Sequence, residues 1–72
     1  PAADFCADYE STCSYGGTDR FADEAACIAF FGDATSACQT CVTTHLGLAG
    51  SDAATHCPHA TGLGPCASDC GG

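Results

Sequence analysis

The sequence predicts a small all-α domain held by disulfides, with three to four short helices and an irregular C-terminal tail. Three observations predict it. The chain has eight Cys in 72 residues, past the roughly 8–10% level that marks a disulfide scaffold in a short chain. Apolar residues recur at helical spacing in several segments, and no segment shows the two-residue alternation of a strand. Large apolar side chains are few (Phe5, Tyr9, Tyr15, Phe21, Ile28, Phe30, Phe31, Val42, Leu46, Leu48 and Leu63) among fourteen Ala and nine Gly. So small an interior leaves a marginal domain. Four crosslinks at about 2–4 kcal/mol each are the expected remedy, and the even Cys count fits full pairing. Residues 1–72 are expected to form a single disulfide-stapled domain.

The first helix is expected over 3–13. Phe5 and Tyr9 recur at i and i+4, Thr12 and Cys13 follow at i+7 and i+8, and Asp4 is the expected N-cap. Ser14-Tyr15-Gly16-Gly17-Thr18 is turn chemistry that ends it. Thr18 or Asp19 opens the second element, a helix over 20–31. Asp23 and Glu24 supply first-turn charge, and Gly32 is the expected residue just past its end. Thr35 or Ser36 caps a third helix running to Leu46 or Leu48. On it Cys38, Cys41, Val42 and His45 fall on one face. Ser51-Asp52 caps a short fourth helix over 53–57, which Pro58 should stop, because the residue before a proline avoids the α region. The remainder is expected to be loop, with Cys57, Cys66 and Cys70 stapling it back onto the helices.

Spacing leaves the pairing of Cys6, Cys13, Cys27, Cys38, Cys41, Cys57, Cys66 and Cys70 open, because eight Cys allow 105 connectivities. Helix geometry adds two expectations. Cys38 and Cys41, one turn apart, should each reach a different segment rather than each other. Cys6 and Cys13, two turns apart on one face, should staple their helix to two heights of a neighbour.

Charge removes whole classes of partner. The chain carries one cationic side chain, Arg20, against nine Asp and Glu, for a net charge of −8. Nucleic-acid backbones and anionic membrane surfaces both need Lys and Arg. No apolar run approaches the ~18 residues of a membrane span. Disulfides persist in oxidising compartments, so a secreted location is expected: periplasm, cell surface or medium. The opening Pro1-Ala2-Ala3 is what removal of a secretion signal would leave, and a proteolytic fragment would look similar.

Few motifs carry chemistry. Cys38-Gln39-Thr40-Cys41 is a C-x-x-C, but no strand precedes it as in a thiol oxidoreductase. Val42 stands where covalent haem attachment needs a His. His45, His56 and His59 are the only side chains with acid–base range near neutrality. With Cys38 and Cys41, His56 and His59 form a superficial zinc pattern, whose use would break the even Cys count. A Cu or Zn site built on imidazoles and Asp52 or Asp69 is the alternative, as is axial ligation to a partner's haem. The plainer reading has these imidazoles hydrogen-bonding carbonyls of the fourth-helix turn. There is no G-x-S-x-G elbow for a nucleophile and no Asp-rich loop for calcium. Phe30 and Phe31 point about 100° apart on a helix. One can face the core, while the other, beside Ile28, either joins it or marks a docking patch.

Several segments resemble a group of small secreted cysteine-rich proteins of myxobacteria and relatives. They are Phe5-Cys6 with Cys13, the run from Phe21 to Ala29, Cys41-Val42-Thr43-Thr44-His45, His56-Cys57-Pro58-His59-Ala60, and Gly64-Pro65-Cys66. That group carries a Cys pair seven apart, a helix ending in Cys-Leu-Ala, a C-x3-H and a closing H-C-P-H-A-G. Two positions depart from it: Phe31 stands where a Cys often recurs, and Thr61 where Gly is usual. The resemblance implies export and disulfides, and no activity. The leading expectation is a non-enzymatic exported structural or interaction subunit, without cofactor, docking on a protein partner or on further copies of itself. The target would be a filament, an envelope assembly or an electron-transfer complex. A metal- or haem-ligating module on His56 and His59, and a thiol-redox protein on Cys38 and Cys41, are the alternatives.

Overall fold

The computed structural model describes residues 2–71, so the Pro1 start and the last residue of the expected tail lie outside the described residues. Helix α1, Ala2–Cys13, forms where the apolar spacing predicts, with Phe5, Cys6 and Tyr9 buried. Asp4 is a first-turn acid inside α1 rather than its cap, where the positive end of the helix dipole still favours it.

The next ten residues correct the expected start of the second helix. Residues 14–23 are a tight loop, and α2 is Glu24–Asp33. Side chains hold the loop open against helix. Tyr15 Oη donates to the Cys6 carbonyl at 2.8 Å, Arg20 Nε donates to the Cys13 carbonyl at 3.3 Å, and the Gly16 N–H donates to the Phe21 carbonyl at 2.8 Å. The carbonyl at the end of α1 thus takes the one cationic side chain. Asp23 is the cap that starts α2, accepting from the Ala26 N–H at 2.8 Å. Gly32 lies within α2 instead of ending it, and the Ala34 N–H closes the helix on the Phe31 carbonyl.

Helix α3, Ser36–Ala49, is capped by Thr35, whose Oγ1 accepts from the Cys38 N–H. Helix α4, Ala53–His59, is capped by Asp52, and it runs through Pro58, contrary to the expected stop. Two features offset the strain before a proline. Cys57 is pinned by a disulfide to Cys13. Carbonyls around the proline also keep partners: the His56 carbonyl accepts from Ala60 N–H, Pro58 from Thr61 N–H and Thr61 Oγ1, and His59 from Gly62 N–H. A 3-10 turn at Gly64–Cys66 completes the described elements. The fold is all-α, and no strand occurs among the described residues.

All eight Cys are paired. Cys6–Cys27 joins α1 to α2, Cys13–Cys57 joins α1 to α4, and Cys38–Cys70 and Cys41–Cys66 tie the tail to α3. Cys38 and Cys41 therefore reach different partners, as their spacing requires. Cys6 and Cys13 do not share the one neighbour that their spacing predicted: Cys6 is bridged to α2 and Cys13 to α4. The core is an aromatic seam. Phe5 stacks on Phe31 with centroids 4.5 Å apart, Tyr9 meets Phe21 at 4.8 Å, and Phe21 meets Phe30 at 5.2 Å. Phe31 is buried, and Phe30 packs on the core and over Gly62. Phe31 is thus inside, and Phe30 is half-buried against the core's edge. Ile28, Leu48 and Leu63 are the large apolar side chains left exposed.

Candidate metal centre

The densest contact between elements is that of α3 with α4, and it brings all three histidines together. His45 sits on the predicted face of α3, one turn after Cys41. Because α4 continues through Pro58, His56 and His59 fall at i and i+3 on one side of the same helix. The three rings form a triangle, with centroids 5.9 Å apart for His45 and His56, 5.4 Å for His45 and His59, and 5.5 Å for His56 and His59. One ligand nitrogen from each lies within 4.8 Å of the other two. A tetrahedral site with bonds of about 2.0–2.1 Å needs nitrogens about 3.3 Å apart, so the rings would have to draw together on binding an ion.

Each ring is held differently. His45 Nδ1 lies 2.8 Å from the Cys41 carbonyl oxygen. In the neutral ring that contact fixes the proton on Nδ1 and leaves the Nε2 lone pair free, the arrangement by which backbone carbonyls orient metal-binding imidazoles. His59 is wedged by the turn after α4. Gly64 has φ +57°, and a Cβ there would lie 2.5 Å from His59 Cδ2 and 2.8 Å from Nε2. That edge of the ring is packed against backbone, which leaves Nδ1 on the opposite edge. The Nδ1 atoms of His56 and His59 are both buried without a hydrogen-bond partner. A buried polar atom left unsatisfied costs about 1–3 kcal/mol, and a cation accepting both lone pairs removes that penalty. The plainer expectation, that these imidazoles bond carbonyls of the fourth-helix turn, holds for neither Nδ1. His45 does bond a carbonyl, but one of α3.

The cluster comes without the carboxylates considered from sequence. Asp52 Oδ1 accepts from the Thr55 N–H at 3.3 Å, capping α4. The Thr55 hydroxyl and N–H hold this carboxyl below the usual range, with His56 adding a smaller effect in the same direction. Asp69 is beside Cys41 and His45 along an open cavity but is not part of the triad. The zinc pattern built on Cys38 and Cys41 does not form, because both sulfurs are bridged to the tail.

No protein-family model, curated protein or solved structure matches the chain. The likeness of His56-Cys57-Pro58-His59-Ala60 to secreted cysteine-rich proteins rests on sequence alone. The residue that sequence reading missed is Gly64, whose missing side chain makes room for His59. The Gly64-Pro65 pair marks a turn, but nothing in it points to a ring packed above.

Chemically, three neutral imidazoles suit borderline ions such as Zn(II) and Cu(II). With three protein ligands a tetrahedral ion keeps one open position. The four bridges belong to an oxidising, extracytoplasmic environment. No helix among the described residues is long and apolar enough to cross a membrane.

Proposed function

We propose that the chain is an exported, non-enzymatic module that binds one Zn(II) or Cu(II) ion through His45, His56 and His59, in the periplasm, at the cell surface or in the medium. The observation that carries this reading is the convergence of three imidazoles from two helices, with two buried Nδ1 atoms left unpartnered. The net charge of −8 supports it by raising the local concentration of cations. Full pairing of the Cys supports it too, because no thiolate competes for the ion. The disulfides Cys13–Cys57 and Cys41–Cys66 hold the two helices that carry the ligands, so little of the ligand geometry has to be ordered on binding.

Equilibrium dialysis of the oxidised protein against Zn(II) and Cu(II), read by elemental analysis, tests the proposal. One equivalent per chain is expected. Affinity in His56→Ala should fall by more than the roughly 10–100-fold that loss of an outer-shell partner costs. Retention of no metal, or equal retention by His56→Ala, overturns the reading.

A second reading, a subunit docking on a larger assembly, draws support from Ile28, Leu48 and Leu63, exposed at 36%, 46% and 43%. Of the pair Phe30 and Phe31, Phe31 is buried and only the half-buried Phe30 could add to such a surface. Crosslinking of the native protein in its own envelope or culture fluid tests that reading. A monomer that captures neither a partner nor another copy would end it.

A further inference from the structure

A different set of potential ligands lies on the other edge of His45. Its Nδ1 is 3.5 Å from Cys66 Sγ and 3.7 Å from Cys41 Sγ. In a tetrahedral zinc site with Zn–S of about 2.3 Å and Zn–N of about 2.0–2.1 Å, nitrogen and sulfur are about 3.5 Å apart. The nitrogen therefore already stands at the required distance from both sulfurs. The sulfurs, now covalently joined, would have to part to about 3.8 Å, and His45 Nδ1 would have to give up its bond to the Cys41 carbonyl.

We propose that the Cys41–Cys66 disulfide is a masked pair of thiolate ligands, and that its reduction creates a zinc site from Cys41, Cys66 and His45 Nδ1. This site shares one imidazole with the histidine triad but does not depend on the triad being occupied. Two features of the fold favour it. Cys38–Cys70 ties the same helix to the same tail one turn earlier on α3, so the two sulfurs stay close after their own bond opens. Cys41 is half-buried and, with His45, lines an open cavity of about 540 Å³ that Thr40, Thr44 and Asp69 also border. Approach to this bridge is from the Cys41 side, since Cys66 is fully buried, as are both residues of Cys6–Cys27.

The reductant is a dithiol. Its thiolate attacks Cys41 Sγ, the disulfide bond breaks and Cys66 leaves as a thiolate. The second thiol of the reductant then displaces Cys41 from the mixed disulfide. The reductant ends as a disulfide, and two electrons and two protons have passed to the protein. Zn(II) takes both sulfurs as thiolates and releases those two protons to solvent. The His45 proton moves through water from Nδ1 to Nε2, breaking the bond to the Cys41 carbonyl. A neutral His45 can then serve only one set at a time, so reduction draws the ion from the triad to the sulfurs.

The test uses the whole protein, oxidised and then reduced stepwise without air by a water-soluble phosphine, which is itself converted to the phosphine oxide. Co(II) and Zn(II) are the probes. A thiolate-to-Co(II) charge-transfer band in the near ultraviolet is expected only after reduction. Zn(II) should shield Cys41 and Cys66 from alkylation, mapped by mass spectrometry, while Cys38–Cys70 stays closed. His45→Ala should lose the shielding. His56→Ala, which disables the triad, should keep it, so the two proposals fail separately. Cys41→Ser frees Cys66 without any reductant and should give a weaker, one-thiolate band even where reduction unfolds the chain. The proposal is overturned by a missing band in both proteins, by shielding that persists in His45→Ala, or by another bridge opening first with no metal-dependent protection of this one.

Discussion

At the scale of single residues, the place of His59 depends on a hydrogen atom. Gly64→Ala puts a methyl group where the imidazole edge now lies, at a backbone φ that other residues rarely adopt. The ring is the more mobile party and should swing away while the helices remain. The expected result is a drop in Zn(II) affinity of roughly 10–100-fold, as for loss of an outer-shell partner, with an unchanged far-ultraviolet helical signal. Equal affinity in both proteins would remove His59 from the ligand set. Tyr9 gives the opposite kind of prediction. Its hydroxyl is buried without a hydrogen-bond partner within bonding geometry, and burial pushes its pKa up. Tyr9→Phe keeps the ring contacts with Phe21 and Tyr15 and deletes the orphan oxygen. Its urea midpoint should hold or rise, by up to about 1 kcal/mol of stability. A clear fall would mean that the hydroxyl has a partner after all. The three imidazoles were legible as candidates in the sequence, being the only side chains with acid–base range near neutrality. Their convergence was not, because His45 and the other two are brought together by tertiary packing that no local spacing encodes.

At the scale of elements, the helices were legible where apolar spacing and caps agree, as in α1 and α3. They misled where a local rule met a tertiary restraint. Residues 20–23 carry helical spacing through Phe21, but Arg20 and Tyr15 bind carbonyls of α1 and keep this tight loop out of helix until Asp23 caps α2. Pro58 should end α4, but the Cys13 crosslink and the following turn carry the chain through it, and only that continuation puts His59 beside His56. The Asp52 cap is then the remaining handle on α4. Its carboxyl is held below the usual range by Thr55. A depressed carboxyl contributes stability above its unfolded value of about 3.9, and that contribution is lost as pH falls through the lower folded value. Asp52→Ala should therefore speed amide exchange of α4 at neutral pH and weaken metal binding. In acid, below the folded value, the difference in α4 stability between variant and wild type should vanish. A gap that persists there would mean the charge is not what caps the helix.

At the scale of the molecule, sulfur crosslinks complete a core that is too small alone, since Ile28, Leu48 and Leu63 of the chain's eleven large apolar side chains lie outside it. The bridge with the longest span is Cys13–Cys57, separated by 44 residues. Restricting so long a loop in the unfolded chain is worth about 4 kcal/mol on the chain-entropy account, a large share of the roughly 5–15 kcal/mol by which domains are stable. The double variant Cys13→Ala, Cys57→Ala should melt roughly 15–30 °C lower, at 4–8 °C per kcal/mol for a chain of this size. It also releases the helix that carries His56 and His59, so its metal affinity should fall together with its stability. Linkage then makes a further demand. A ligand that binds only the folded state adds about 2.7 kcal/mol at a hundredfold excess over its dissociation constant. Saturating Zn(II) should therefore restore much of the lost melting temperature, and should do nothing for the same variant carrying His56→Ala. Circular dichroism melts of wild type, the double variant and the same variant carrying His56→Ala, with and without the ion, check both parts. Equal rescue with and without His56 would show that zinc acts elsewhere on this acidic surface, and the triad would lose its claim as the site of binding.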